Sequence, residues 1–303
     1  MSDRMSVRVP ATCANLGCLF DCGAIALGLY LNLHVTARAD DKVVIHYKGV
    51  HADRVALDSS NLIARTLRET LDSWGYRHGF ELEIENQIPI GAGAGSSAAA
   101  IVGALTASHW LADRMLTDEE LVWLATRREG HPDNVAAAWH GGFTVAAQDQ
   151  KQVFVASCPV PDSLGLILVV PDYALPTKEA RRVLPEQITR ADAVHNLQRA
   201  AVLTAQLFAG KAEFHRFFFD DRWHQPCRTP LVPGLGAALE LKHPDLMGIC
   251  LSGAGPSILA FARANCGAIG KLIKDTLAGA QVSSEVYVLA ADNRGAKGWS
   301  MPV

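Results

Sequence analysis

Three features of the 303-residue chain predict a mixed α/β or α+β fold. Alternating runs such as FELEIENQI put Phe80, Leu82 and Ile84 on one face and Glu81, Glu83 and Glu85 on the other, the period of a half-buried strand. Other runs place apolar residues three and four apart, the period of a helix. The two kinds alternate along the chain, without internal repeats or a low-complexity linker.

In chain order, SVRVP (Ser6–Pro10), ALGLYLNLHVTAR (Ala26–Arg38) and KVVIHYKG (Lys42–Gly49) are predicted strands. A helix is predicted from Asp58 or Ser59, with Ile63, Leu67, Leu71 and Trp74 on one face and Gly75 to stop it. The strand FELEIENQI follows, then a glycine-rich stretch that opens a helix running to about Met115. TDEELVWLATRREG begins with a capping box, Thr117 with Glu120 three residues on, and ends at Gly130. LGLILVVP (Leu164–Pro171) is a buried strand and Ile188–Ala209 a long helix. LMGICLSGAGPSILAFAR predicts strand, tight turn, strand. A helix near Cys266–Leu277 and the strand SSEVYVLA close the chain. The expected boundary between two closely packed lobes, 1–160 and 161–303, lies near residues 155–163, at ASCPVPDS (156–163).

With 49% apolar and 19% charged residues, the chain has the composition of a soluble globular protein. A net charge of −3 gives no reason to expect nucleic acid or an anionic membrane as partner. The N-terminus has no apolar stretch of signal-peptide length, and no run reaches the 18 apolar residues of a membrane span. Seven cysteines, an odd number without C-x-x-C spacing, are expected to be reduced thiols in a cytoplasmic protein.

The stretch IPIGAGAGSSAAAIVGAL carries the chemistry. Gly91, Gly93 and Gly95 let backbone N–H groups turn inward, and the helix start at Ser96 and Ser97 adds unpaired donors and a partial positive charge. This arrangement suits the phosphates of a nucleotide. It is not a Walker A loop, because no lysine follows the glycines. The dinucleotide pattern G-x-G-x-x-G fails at Ser96, and the hydrolase elbow G-x-S-x-G is absent. The competing reading is a flexible turn before a helix packed through small residues.

Two further segments bear on that choice: VPATCANLGCLFDCGAIAL near the N-terminus and LSGAGPSILAF near residue 255. With PIGAGAGSSAAA they resemble the three motifs of the GHMP kinases, which phosphorylate small molecules with ATP. The first of them, together with EGHPDNVAAAWHGG (129–142), TKEARRVLP (177–185) and HQPCRTPLVPG (224–234), is similar to the homoserine kinases in particular. The resemblance implies an α+β, two-lobed GHMP kinase fold. Its N-terminal lobe has a left-handed βαβ unit, its C-terminal lobe is ferredoxin-like, and ATP and substrate sit between the two. It further implies L-homoserine as substrate, a step towards threonine, and a homodimer.

Carried over residue by residue, the resemblance makes Pro89, Ile90, Gly91, Ala92, Gly93, Ala94, Gly95, Ser96, Ser97, Ala98 and Ala99 the ATP loop. Ser97 and Glu129 would hold Mg2+, a hydroxyl and a carboxylate completed by phosphate and water. Otherwise Glu129 is a solvated residue at a helix end. Asn61 resembles an asparagine that helps hold adenine, or is simply a helix N-terminal residue. Arg181 and Arg228 would take the substrate carboxylate, for which a guanidinium fork is suited. Asp21 would pair with the ammonium, with Asn15, His131 and Asn134 around it. By themselves Arg181 could be a solvated helix residue, His131 a helix cap and Asp21 a turn carboxylate. In HPDN, either Asp133 takes the hydroxyl proton or Asn134 orients the hydroxyl, with Thr177 helping. Gly253 and Gly255, with Ala254 and Ser257, form the third motif, a support for the phosphate site or a plain hairpin turn.

Cys13, Cys18, Leu19 and Cys22 stand where the first motif usually has Ser, Pro, Gly and Ser, and Ala94 where leucine is common. The lost Pro-Gly pair is expected to alter the turn beside Asn15 and Asp21. Two other functions are compatible: a GHMP kinase for another small alcohol, and a ligand-binding member without turnover.

Overall fold

A computed structural model describes residues 4–300. The strands β1 (Arg4–Asn15), β2 (Leu19–Ala37), β3 (Val43–Gly49) and β4 (Phe80–Asn86) start the chain, with α1 (Leu62–Ser73) between the last two. Next come α2 (Ser96–Leu111), α3 (Asp118–Glu129), α4 (Asp133–His140), β5 (Phe143–Gln148) and β6 (Val153–Cys158). The second half holds β7 (Gly165–Pro171), α5 (Thr177–Arg182), α6 (Arg190–Phe208), α7 (His224–Arg228) and α8 (Leu235–Leu239). It closes with β8 (Leu246–Leu251), β9 (Ile258–Ala262), α9 (Cys266–Gly279), β10 (Ser284–Leu289) and β11 (Lys297–Ser300).

Among the described residues, seven strands form one sheet in the order β11-β1-β2-β4-β3, with β5 paired to β2 and β6 to β5. On its edge away from β1, β2 serves two partners: Gly23–Ile25 pair with β5, and Leu31–Ala37 pair with β4. Its first half was not expected to be a strand, because the glycine and aspartate of FDCG have the composition of a turn. The β1–β2 register shifts between Pro10 and Ala11, where proline has no N–H to give the ladder. β3 and β4 are parallel across α1, which is the expected βαβ unit.

α1 starts at Leu62, later than expected, because Asn61 is its N-cap and accepts from Ile63 N and Ala64 N. α2 ends at Leu111 instead of Met115. Ala98 to Ser108 are all buried, so α2 is an interior helix with no polar face, packed on β1 and between α1 and α3. α3 has the expected capping box and stops at Gly130 in the left-handed region.

The second sheet has the order β10-β7-β9-β8, all antiparallel neighbours. Numbered from one within the lobe this is 4-1-3-2, the strand order expected for a ferredoxin-like lobe. Alternate residues of β7 enter different cores. Ile167 and Val169 pack with Ile269 and Ile273 of α9, while Leu166, Leu168 and Val170 join the large core shared with the first sheet. A strand buried on both faces has no polar alternation, hence the unbroken apolar run LGLILVVP. The expected 160/161 division runs between β6 and β7, and the chain crosses back at its end, where β11 pairs with β1. No helix among the described residues is long and apolar enough to cross a membrane.

Candidate active site

A cavity of ≈ 130 Å³ opens where the loop before α2, the α3–α4 junction, α5, α7 and the β8–β9 turn meet. Asn15, Asp21, Glu129, His131, Asp133, Asn134, Thr177, Arg181 and Arg228 line it, with Pro89, the loop from Gly93 to Ser97, and Gly253.

The glycine-rich loop is built by using up its carbonyls. Gly91 O accepts from Leu175 N, Ala92 O from Ser257 N, and Ala94 O from Thr12 N, at 2.9, 3.2 and 3.1 Å. Ser252 Oγ donates to Gly93 O at 2.7 Å. With these acceptors engaged, α2 begins at the cavity wall, lined by Gly95, Ser96 and Ser97, and no side chain caps its first N–H groups. The left-handed φ of +77° at Gly93 places its missing Cβ 2.2 Å from Ser252 O, so only glycine fits there. Gly255, φ +92°, belongs to the turn that holds the loop from the other side. Ala92, Ala94, Ala98 and Ala99 are buried and pack the loop and helix start.

Ser97 Oγ donates to Glu129 Oε2 at 2.7 Å, although the two are 32 residues apart. Glu129 is the last residue of α3, and the left-handed Gly130 turns the chain there towards His131. Asp133, 1% exposed, opens α4; its Oδ1 lies 2.7 Å from His131 Nδ1 and accepts from Asn134 N at 2.7 Å. Burial pulls the His131 imidazole down, but the hydrogen bond to Asp133 and that carboxylate's charge outweigh it, so the net shift is upward. Thr12 Oγ1 donates to Asn134 Oδ1 at 2.7 Å, which leaves the amide NH2 of Asn134 for the cavity.

Asp21 and Arg181 form a two-pronged ion pair at 2.6 and 2.9 Å, and that hydrogen bond raises the arginine. Asn15 Oδ1 accepts from Asp21 N at 3.0 Å, and Asn15 Nδ2 donates to Gly253 O at 2.8 Å. Asn15, Leu16, Gly17 and Asp21 all lie in the left-handed region, which is how the turn without its Pro-Gly pair keeps Asn15 and Asp21 together. Cys18 Sγ closes the turn by donating to Asp220 O at 3.0 Å. Arg228 is 1% exposed and hydrogen-bonds carbonyls and His224, never a carboxylate. Burial, and then the neighbouring Arg181, push its guanidinium down to about 10.

A second cavity of ≈ 340 Å³ shares Gly91, Ser96 and Ser97 with the first and is walled by Leu31, Tyr47, Val55, Leu62, Ile63, Ile84 and Ile90. Asn61 borders it, but its Oδ1 caps α1 and its Nδ2 donates to Ala56 O, leaving one amide hydrogen. Sequence reasoning missed Thr12, Ser252 and His51, whose Nδ1 accepts from Ile90 N at 3.1 Å. Each acts on a residue far away in the chain, and no spacing pattern marks them.

The chain is similar to known proteins over most of its length. Residues 61–142 match the GHMP kinases N terminal domain. The homoserine kinase of Desulfitobacterium hafniense is 38% identical over 96% of this chain and 98% of its own. That of Solibacter usitatus is 42% identical over 84% of each chain. The crystal structure of homoserine kinase from Cytophaga hutchinsonii superimposes with a TM-score of 0.85 at 28% identity, covering 99% of this chain and 98% of that one.

Proposed function

The chain belongs to the homoserine kinase family of the GHMP kinases, and on that premise we propose how its cavity transfers phosphate from ATP to the side-chain hydroxyl of L-homoserine. The observation that carries the proposal is a juxtaposition. A loop with spent carbonyls and a bare helix start shares one cavity with Asp21 and two guanidinium groups. One end suits a triphosphate; the other suits a zwitterion.

The triphosphate lies along Pro89–Ala99, with adenine in the apolar side cavity beside Asn61. Mg2+ fits Ser97 and Glu129, whose oxygens already meet at 2.7 Å. No group of three or more His, Cys, Asp or Glu able to hold a metal occurs among the described residues, so phosphate and water would complete the shell. Bound there, the ion would neutralise charge on the phosphoryl group. The substrate carboxylate meets Arg181 and Arg228, and its ammonium meets Asp21, with Asn15 and His131 alongside. Asn134 presents its NH2 to the hydroxyl oxygen, Thr177 helps orient it, and Asp133 Oδ2 is left to accept the hydroxyl proton. Positioning and charge neutralisation supply most of the rate, as expected for a loose phosphoryl transition state. Gly253 and Gly255 keep the loop in register.

We place the protein in the cytoplasm, which its seven free thiols support, and as a homodimer. Val194, Leu197 and Phe208 leave an apolar stripe exposed on α6, with Phe154 exposed on the neighbouring β6. The small-molecule reading has no use for nucleic acid or a membrane. A kinase for another alcohol and a non-catalytic binder are not favoured by the relatives. The test is ADP release with ATP and Mg2+ in the presence of L-homoserine, mevalonate, galactose or L-threonine. Release above background with L-homoserine alone is expected; ATP binding without release with any of them would overturn the reading.

A further inference from the structure

We propose that His224 and Phe20 are positioning residues for the substrate carboxylate, fixing the Arg228 guanidinium so that Nη2 is the nitrogen it presents to the cavity. This rests on the assignment of Arg228 to that carboxylate. A guanidinium has five N–H groups. In Arg228, Nε donates to Ala180 O at 3.1 Å, and Nη1 donates to Gly253 O at 3.1 Å and to His224 Nδ1 at 3.2 Å. Both hydrogens of Nη2 remain without a protein acceptor in the hydrogen bonds of the described residues.

The state of His224 follows from its partners. Its Nε2 lies 2.7 Å from Gly17 O, which can only accept, so Nε2 carries the hydrogen. Asp221 Oδ2 is farther from Nε2, at 3.6 Å, and serves instead as the anchor of the backbone, accepting from His224 N and Gln225 N at 3.0 and 2.6 Å. The ring is fully buried, and burial favours its neutral form. A neutral ring with hydrogen on Nε2 has a lone pair on Nδ1, the atom that faces Arg228. Gly17 therefore sets the tautomer, and the tautomer holds the arginine. This couples the altered N-terminal turn to the carboxylate site.

Phe20 completes the support. Its ring stacks on His224 at 5.2 Å, and its centroid lies 5.4 Å from Arg228 Cζ and 5.7 Å from Arg181 Cζ. One π system thus faces two cations from different helices, a favourable arrangement for like charges kept close together.

The test uses steady-state kinetics on full-length variants, with thermal melting to confirm folding. His224→Gln keeps a donor for Gly17 O but removes the acceptor opposite Arg228. It is expected to raise the KM for L-homoserine by about fivefold or more, with kcat and the KM for ATP within about twofold. His224→Asn keeps an acceptor at the Nδ1 position and should restore most of the homoserine KM, even with a lower melting temperature. Phe20→Leu, at a partly exposed position with no buried polar group to strand, should also raise the homoserine KM selectively. An unchanged homoserine KM in folded His224→Gln or Phe20→Leu, or equal losses in the Gln and Asn variants, overturns the inference. Arg228→Ala separates the two levels. If it raises the homoserine KM while His224→Gln does not, only the positioning role falls; if it has no effect, the carboxylate assignment itself fails.

Discussion

Glu129 and His131 illustrate how single residues at this site combine fold and chemistry. Glu129 sits at a helix C-terminus, where the dipole disfavours a carboxylate, yet it accepts a hydrogen bond from the Ser97 hydroxyl at the start of another helix. Glu129→Gln is therefore expected to depress turnover strongly with little change in melting temperature; equal activity would remove its metal role. His131 is raised above its ordinary value of 6.5 in the folded state. The stability its pairing with Asp133 contributes is therefore fully present below about pH 6.5 and lost as pH rises through the folded value. His131→Gln should destabilise most below that pH and least well above it, as followed by urea denaturation across pH. A pH-independent difference would show that the ring serves only as packing.

At the scale of elements, the phosphate loop is held by four neighbours and closed by one helix. Gly93→Ala forces a left-handed alanine and drives a Cβ into the Ser252 carbonyl, which belongs to backbone and cannot swing aside. The left-handed backbone costs roughly 1–2 kcal/mol before the clash is counted. Lower stability and a higher KM for ATP are expected together; an unchanged KM would mean the loop does not meet the nucleotide. Asn61 spends most of its amide on capping α1. Asn61→Ala should cost about 1 kcal/mol through the cap, and a concurrent rise in the KM for ATP would register the adenine contact. If only stability falls, the residue is a cap and nothing more. The cap was legible at this position only as a helix start; that it consumes the side chain needed Ala56, which the periodicity of α1 does not mention.

For the whole molecule, the site is a seam between two sheets, so ligands that bridge it should stabilise the fold as a unit. ATP with Mg2+ at a hundred times its dissociation constant is expected to raise the unfolding free energy by about 2.7 kcal/mol. L-Homoserine should do the same in the wild type but not in Arg228→Ala, which differential melting would detect. The sequence by itself determined the strongly periodic elements, the glycine-rich turn and helix start, and the capping box, because period and turn chemistry act over a few residues. It did not determine the first half of β2 or the short helices, whose composition is that of turns. Nor could it assign the acceptors and donors that finish the site. Thr12 and Asn134 are 122 residues apart, Ser252 and Gly93 are 159, and Asp21 and Arg181 are 160. Only the packed tertiary structure decided those pairs, because a hydrogen bond is satisfied by whatever group the fold brings within 3 Å, and local sequence carries no record of that distance.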